Sequence, residues 1–291
     1  MKELITHAGA KGIINKYGLS PKKKLGQHFL VDNHVLDKIL NAADVGEGDL
    51  VLEIGPGIGA LTQGLVSRVG ESGRVVAVEL DKQLVPILEE IFSGENLTVV
   101  QGDILRLDLT EILSPLLDGG CVKVVANLPY YITTPVILSL LESSLPISSI
   151  TVMIQKEVAQ RMAAKPGNKD YGSLTLAVQY YATVSVVANV PVNCFVPRPG
   201  VDSAVAHLRI LDVPPVPDGT NKQKLFDVIH ASFQQRRKTL VNALDSAGFG
   251  NGKESLQAVL ESCGLDIKVR GETLSLLQFA ELARALEECS E

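Results

Sequence analysis

The sequence predicts an α/β domain with a mostly parallel central sheet, followed by a small all-helical domain. Three observations predict it. Short apolar runs alternate with helical patterns from residue 31 to about 155, as in βαβ units whose sheet is covered on both faces. The stretch VPPVPDG (213–219), with three prolines and a glycine, breaks that pattern. Beyond the break every segment has helical periodicity.

The elements follow in order. In VDNHVLDKILNAAD (31–44), Val35, Leu36, Ile39, Leu40 and Ala43 share one helical face, and Asp32 stands where a cap is needed. DLVLEIG (49–55) is a strand, 60–69 a helix, GRVVAVEL (73–80) a second strand, 82–92 a helix and LTVVQGD (97–103) a third strand. CVKVVAN (121–127) is the fourth, 134–142 begins a helix, and SITVMIQ (149–155) is the fifth. TVSVVANVP (183–191) alternates like a half-buried antiparallel strand, and AVAHLRIL (204–211) is its partner. Helices are predicted over 222–246, 253–262 and 273–288. The domains expected are 1–212, including a basic extension over 1–30, a linker over 213–219 and a helical domain over 220–291.

A chain of 291 residues with 46% hydrophobic and 21% charged residues reads as globular and soluble. The two long charge-free runs, 124–141 and 171–197, contain prolines and polar residues and read as buried core, not membrane spans. No apolar signal-peptide core opens the chain. Four widely spaced cysteines, without CxxC or zinc-like spacing, predict free thiols in a reducing cytoplasm and no metal site. The net charge of −6 argues against a general polyanion binder. It hides an asymmetry: residues 1–30 hold six lysines and one acid, whereas 251–291 hold four bases and eight acids.

LEIGPGIGALT places Gly55, Gly57 and Gly59 directly after a strand, where the backbone must turn tightly and approach a ligand at a helix N-terminus. Alone this also satisfies a dinucleotide fingerprint, with Glu79 as the ribose acid. Three acids shift the weight. Glu53 precedes the loop and suits a cationic ligand, Glu79 ends the second strand and can accept from ribose hydroxyls, and Asp103 ends the third and can accept from an exocyclic amine. A ligand with adenosine, a positive charge and no phosphate is S-adenosylmethionine.

On the same sheet edge the fourth strand ends in Asn127-Leu128-Pro129-Tyr130. The nitrogen of an aromatic amine is a poor nucleophile because its lone pair enters the ring. Two acceptors gripping its N–H groups can turn that pair toward a methyl donor. The Asn127 side-chain oxygen and the Leu128 carbonyl supply them, Pro129 fixes the backbone between, and Tyr130 offers a face to a flipped base.

With these motifs in place, the chain resembles the class I, Rossmann-like S-adenosylmethionine-dependent rRNA adenine-N6,N6-dimethyltransferases of the small-subunit, kasugamycin-sensitivity type. The resemblance runs from KKKLGQHFLVD (22–32) through LEIGPGIGALT, VELD, QGDIL, NLPYYITTP and FVPRPGVDSAV to FQQRRKTL. It implies that His28 and Leu30 lie over the cofactor, that Gly55, Glu79, Asp103 and Asn127 bind it, so that Asn127 serves cofactor and base alike, and that Ile104 joins Asp103 beside it. FVPRPGVDSAV would be a rigid loop with Phe195 stacking opposite Tyr130. Lys22, Lys23, Lys24, Arg236, Arg237 and Lys238 would contact RNA phosphates, the alternative being solvated or helix-terminal basic clusters. The implied substrate is a pair of adjacent adenines in a hairpin near the 3′ end of 16S rRNA, in an immature small subunit, met by a cytoplasmic monomer. Macrolide-resistance methylases of large-subunit rRNA share the Asn-Leu-Pro-Tyr type of motif. The basic extension, FVPRPGVDSAV and FQQRRKTL favour the small-subunit type.

Overall fold

The computed structural model describes residues 6–289. The chain forms two compact units, one running to Ala159 and including Val184–Ile210, the other comprising Gln160–Thr183 and Leu211 onward. The strands are β1 (Phe29–Leu30), β2 (Leu50–Ile54), β3 (Arg74–Glu79), β4 (Leu97–Gln101), β5 (Val122–Asn127), β6 (Ile147–Gln155), β7 (Ala182–Val190), β8 (Phe195–Val196) and β9 (Ser203–Ile210). The α-helices are α1 (His7–Lys16), α2 (Asn33–Ala43), α3 (Ala60–Val69), α4 (Val85–Ile91), α5 (Leu109–Leu113), α6 (Thr133–Glu142), α7 (Lys156–Met162), α8 (Ser173–Gln179), α9 (Lys222–Gln234), α10 (Leu240–Ser246), α11 (Lys253–Ser262) and α12 (Leu276–Glu288).

The first unit is built on a seven-stranded sheet of order β4-β3-β2-β5-β6-β9-β7. β4 to β6 run parallel, and β9 joins β6 antiparallel, with Met153 opposite Val205. The parallel strands are apolar on both faces because helices cover both; Val51, Leu52, Val75, Val76, Val124 and Val125 are all fully buried. From β2 the chain winds outward through β3 and β4, then returns to place β5 on the other side of β2. That reversal opens a crevice at the carboxyl ends of β2 and β5, where open α/β sheets bind ligands.

α2 forms as its periodicity dictates. Its five predicted face residues are all buried, and Asp32 Oδ1 accepts from the Val35 N–H at 3.0 Å. Burying side chains of this size contributes roughly 1.5–3 kcal/mol each. The basic N-terminal segment is itself folded. Thr6 caps α1 through the Gly9 N–H, and Ala10 joins Phe29, Val31, Ile58 and Leu84 in an apolar cluster. Residues 29–30 then pair antiparallel with 195–196, Leu30 opposite Phe195. Lys2, which contributes to the basic extension, lies outside the described residues.

The second unit has its own core around Leu225, Ile229, Leu240, Leu260, Phe279 and Ala283. It also takes in residues 160–183, which the sequence placed in the first domain. The cause is packing: Tyr171, Leu176 and Tyr180 belong to the helical core, and the Tyr171 hydroxyl donates to the Leu274 carbonyl at 2.7 Å. The single helix expected over 222–246 is two. α9 stops at Gln234, Gln235 leaves helical geometry (φ −127°, ψ 60°), and the Leu240 N–H bonds to the Val269 carbonyl at 2.7 Å. α12 starts three residues later than predicted, at a capping box of Ser275 and Gln278. Among the described residues no helix is long and apolar enough to cross a membrane.

Candidate active site

A cleft lies along the carboxyl edge of the sheet in the first unit. Its wall includes Gly55, Gly57, Glu79, Asp103, Ile104, Asn127, Pro129 and Tyr130, together with His28 and Leu30 from the N-terminal segment.

The glycine loop has φ values of 69°, 60° and 89° at Gly55, Gly57 and Gly59, all in the region that disfavours a side chain. Space is also tight at Gly57 and too small at Gly59 unless a ring shifts. A Cβ at Gly57 would sit 3.1 Å from the Phe29 ring, and one at Gly59 would sit 2.6 Å from the Phe92 ring. The Gly57 N–H is already engaged, donating to Glu79 Oε2 at 3.1 Å.

Glu79, 5% exposed at the end of β3, takes the Asp81 N–H on its other oxygen at 2.7 Å. Each carboxylate oxygen keeps a further lone pair for an incoming hydroxyl. Burial raises its pKa. Asp81 is also 5% exposed and is held by the N-terminal segment: Lys22 Nζ donates to Oδ1 at 2.7 Å and Gln27 Nε2 to Oδ2 at 3.0 Å. Burial alone would raise the Asp81 carboxyl, but Lys22, the Gln83 N–H and Gln27 together hold it below the ordinary range. Lys22 is therefore an anchor for residues 22–30, with its ammonium engaged by Asp81.

Glu53 is placed differently from the expectation. It is fully buried beneath the loop beside Thr62, in the first turn of α3, and it does not line the cavity. Neither of its carboxyl oxygens, nor the Thr62 hydroxyl, has a hydrogen-bond partner among the described residues. Burial pushes its pKa up to about 8. Asp103 is partly exposed on the wall, with Oδ1 accepting from the Leu105 N–H at 3.1 Å. Ile104, buried beside it, adds an apolar surface.

At the end of β5, Asn127 Nδ2 donates to the His28 carbonyl at 2.9 Å. A carbonyl only accepts, so the amide must present its nitrogen there and leave its oxygen to face elsewhere. The Leu128 N–H is tied to the Met153 carbonyl at 3.1 Å, and the Leu128 carbonyl takes no hydrogen bond among the described residues. Tyr130 is held by a 2.8 Å hydrogen bond between its hydroxyl and Ser203 Oγ. Burial raises the pKa of that hydroxyl. The His28 ring lies over Tyr130, 6.0 Å between centroids and 29° between planes, and its Nδ1 meets the Pro197 carbonyl at 2.8 Å.

Two further candidates sit apart from their expected roles. Phe195 borders the cavity, but it is 1% exposed and packed in the core against β1, so its ring is a wall and not a free stacking face. Arg236 is engaged inside the helical unit, donating from Nε to Glu272 Oε2 at 2.7 Å and from Nη2 to the Asn168 carbonyl at 3.4 Å. Lys24, Arg237 and Lys238 are exposed, and the side chain of Lys23 lies outside the described residues. Asp81, Gln27 and Ser203 escaped the sequence reading. In VELD, Asp81 reads as a solvated strand end, and only the fold brings Lys22 to it.

The cavity fits S-adenosylmethionine. Glu79 offers acceptors to ribose hydroxyls, Ile58, Leu80 and Ile104 form apolar walls for a ring, and the glycines admit close approach. The acids Glu79 and Asp103 would repel a pyrophosphate. Fold and site together define a class I S-adenosylmethionine-dependent methyltransferase. The chain belongs to the ribosomal RNA adenine dimethylase family, whose model matches residues 18–288.

Among its relatives is the ribosomal RNA small subunit methyltransferase A of Lachnoclostridium phytofermentans, 51% identical over 279 residues and 95% of each chain. The protein of the same name from Bacillus mycoides is 49% identical over 291 residues and 98% of each chain. Of solved structures, a dimethyladenosine transferase from Plasmodium falciparum matches with a TM-score of 0.73 and 26% identity, over 90% of this chain and 98% of that one. The 23S rRNA methyltransferase ErmE matches at 0.68 and 25%, over 89% and 99%.

Proposed function

We propose that this enzyme transfers methyl groups to N6 of two adjacent adenines in a hairpin near the 3′ end of 16S rRNA, dimethylating each. The substrate is an immature small subunit in the cytoplasm, and the enzyme acts as a monomer. The observation that carries the base-site reading is the orientation of Asn127: with Nδ2 given to the His28 carbonyl, Oδ1 is the atom left to accept from an adenine amine. The small-subunit assignment rests on relatives near half identity that carry that name, against a quarter identity to the 23S enzyme.

The cofactor, when bound, supplies an electrophilic methyl on a sulfonium. Glu79 would hold its ribose, and Asp103 and Ile104 its adenine. Asn127 Oδ1 and the Leu128 carbonyl hold the two hydrogens of the target amine, so that the nitrogen lone pair is turned out of conjugation. Pro129, whose ring nitrogen carries the Leu128 carbonyl, restrains the backbone just beyond these two acceptors. Tyr130, pinned by Ser203, stacks on the extruded base. Catalysis is then mainly positioning for in-line displacement. The nitrogen becomes acidic as it gains the methyl, so no strong base is needed.

RNA contact is supported by a basic surface in the helical unit. Segments 165–170, 236–239 and 266–272 are laced together by Arg236, by the Gly167 N–H on the Glu272 carbonyl at 2.8 Å and by the Leu240 N–H on the Val269 carbonyl. They carry seven cations against three acids in a chain of net charge −6. Lys165, Lys169, Arg237, Lys238, Lys268 and Arg270 are exposed there and suit phosphates.

The test is to incubate the enzyme with radiolabelled S-adenosylmethionine and ribosomal subunits from a methylase-deficient strain. Label is expected in adenines of small-subunit RNA. Label on large-subunit RNA alone, or on neither, overturns the assignment.

A further inference from the structure

We propose that Glu272 is a positioning residue for RNA binding: it holds segment 165–170 in the shape that presents Lys165 and Lys169 to phosphates. The inference rests on the reading of the helical unit's basic surface given above. It assigns a binding role to an acid, on a surface where charge alone would favour having none.

Glu272 is engaged through both backbone and side chain. Its carbonyl accepts from the Gly167 N–H at 2.8 Å, and its Oε2 accepts from Arg236 Nε at 2.7 Å. Arg236 in turn donates from Nη2 to the Asn168 carbonyl at 3.4 Å. Three stretches far apart in sequence thus close on one residue. Glu272 is itself well seated, in the single helical turn Gly271–Thr273. Gly271 is buried, and a Cβ there would come within 2.8 Å of the Ser232 side chain, so the turn is pressed onto α9. Just beyond the turn, the Leu274 carbonyl receives the Tyr171 hydroxyl at 2.7 Å, which fixes the residue that follows the segment.

The segment depends on that anchorage. Lys165, Pro166, Gly167, Asn168 and Lys169 are exposed. Their own hydrogen bonds are short-range turns, the Asn168 N–H to the Lys165 carbonyl at 3.1 Å and the Asp170 N–H to Asn168 Oδ1 at 2.9 Å. A loose loop loses conformational entropy when it binds, whereas a held loop has already lost it on folding. The Glu272 charge is also matched within the unit. Its side chain is 26% exposed against 41% for Arg236, and the two form an ion pair. The pair is neutral as a whole, so it organises the surface without adding to or subtracting from its charge.

Charge and geometry therefore predict opposite outcomes when Glu272 is changed. The test measures binding of the full-length enzyme to small subunits from a methylase-deficient strain, over a series of salt concentrations. Glu272→Ala removes charge and acceptor together. Glu272→Gln removes the same charge but keeps an acceptor of the same reach, and Glu272→Asp keeps the charge but shortens the reach. Subunit Kd is expected to rise about 10-fold in Ala and about 3-fold in Asp, to stay within about twofold in Gln, and to lose about 1 to 2 from its salt slope in Ala. The Kd for S-adenosylmethionine should stay near that of the wild type in all three. Charge alone predicts Ala and Gln alike, both tighter than the wild type, with Asp unchanged, and that pattern would overturn the proposal. Should Ala fail to fold, Asp against Gln carries the same comparison.

A second arm asks whether Glu272 acts through the loop. Lys165→Ala with Lys169→Ala is made in the wild type and in Glu272→Ala. The losses should overlap, the combined variant binding little worse than the lysine pair alone. Fully additive losses would overturn the proposal. A lysine pair that binds as tightly as the wild type would instead sink the parent reading of this surface as an RNA contact, so the two failures are distinguishable.

Discussion

The two sides of the cavity are built on opposite terms. On the β2–β4 side, Glu79 and Asp103 line the wall, Asp81 stands behind Glu79, and Glu53 is buried under the loop. On the β5 side, the groups that point inward are an amide, a free carbonyl and a phenol, with no charge among them. On the proposed reading the acidic side suits a cationic, hydroxyl-bearing ligand. The neutral side selects by direction, because only a correctly aimed acceptor can hold an N–H. On that reading two ligands of different chemistry meet over one sheet edge without competing for each other's place.

The contrast can be broken most severely at Asn127. Asn127→Asp preserves shape but sets an acceptor against the His28 carbonyl and puts a charge on the neutral side. Methyl transfer to small-subunit RNA should fall by about 100- to 1,000-fold, while cofactor affinity stays equal or tightens. A loss below tenfold in a single-turnover assay would show that the amide is not the grip. A smaller effect is expected on the acidic side. Glu79→Ala removes two acceptors for ribose hydroxyls, each bond to a charged group contributing roughly 1.5–3 kcal/mol. Cofactor Kd measured by calorimetry should rise about 10- to 100-fold, and an unchanged Kd would reassign Glu79 to holding Gly57 and Asp81 alone.

The smallest effect sharpens the difference between a wall acid and a buried one. Glu53 has a folded pKa near 8 against 4.5 when free, so the native state keeps a proton that the unfolded chain has lost. Unfolding releases that proton, and stability of the unliganded protein should fall as pH rises from 4.5 to about 8 and then level. Glu79 is shifted in the same direction and adds to the fall. Glu53→Gln should therefore flatten the profile in part, as read by denaturant midpoints at pH 5, 7 and 8.5. An identical slope in the variant would show that Glu53 is ionised in the fold.

Much of the fold was legible where periodicity and punctuation agree. Helices 60–69 and 253–262 match residue for residue, because glycine or a turn bounds each and the apolar spacing is regular. Residues 160–183 were not legible, since α8 is only seven residues long and its allegiance is set by Tyr171 and Tyr180 packing on helices far along the chain. The break at Gln235 was hidden for a similar reason: the apolar spacing continues across it, and the Leu240–Val269 bond that enforces it is distant in sequence. At the site, the glycines, Glu79, Asp103 and Asn127 could be read from strand ends. Asp81, Gln27 and Ser203 could not, because each matters only through a partner more than fifty residues away. Phe195 misled because an aromatic beside prolines reads equally as a stacking face or as core.

Asp81 has a last consequence. Its side chain receives Lys22 and Gln27, while its N–H serves Glu79. The same residue therefore belongs to the tether of the N-terminal segment and to the seat of the ribose. On the proposed reaction one RNA molecule consumes four cofactors. The spent molecule must leave and a fresh one arrive between methylations. Loosening the ion pair of Lys22 and Asp81 would thus disturb two things at once, the seating of residues 22–30 and the carboxylate of Glu79.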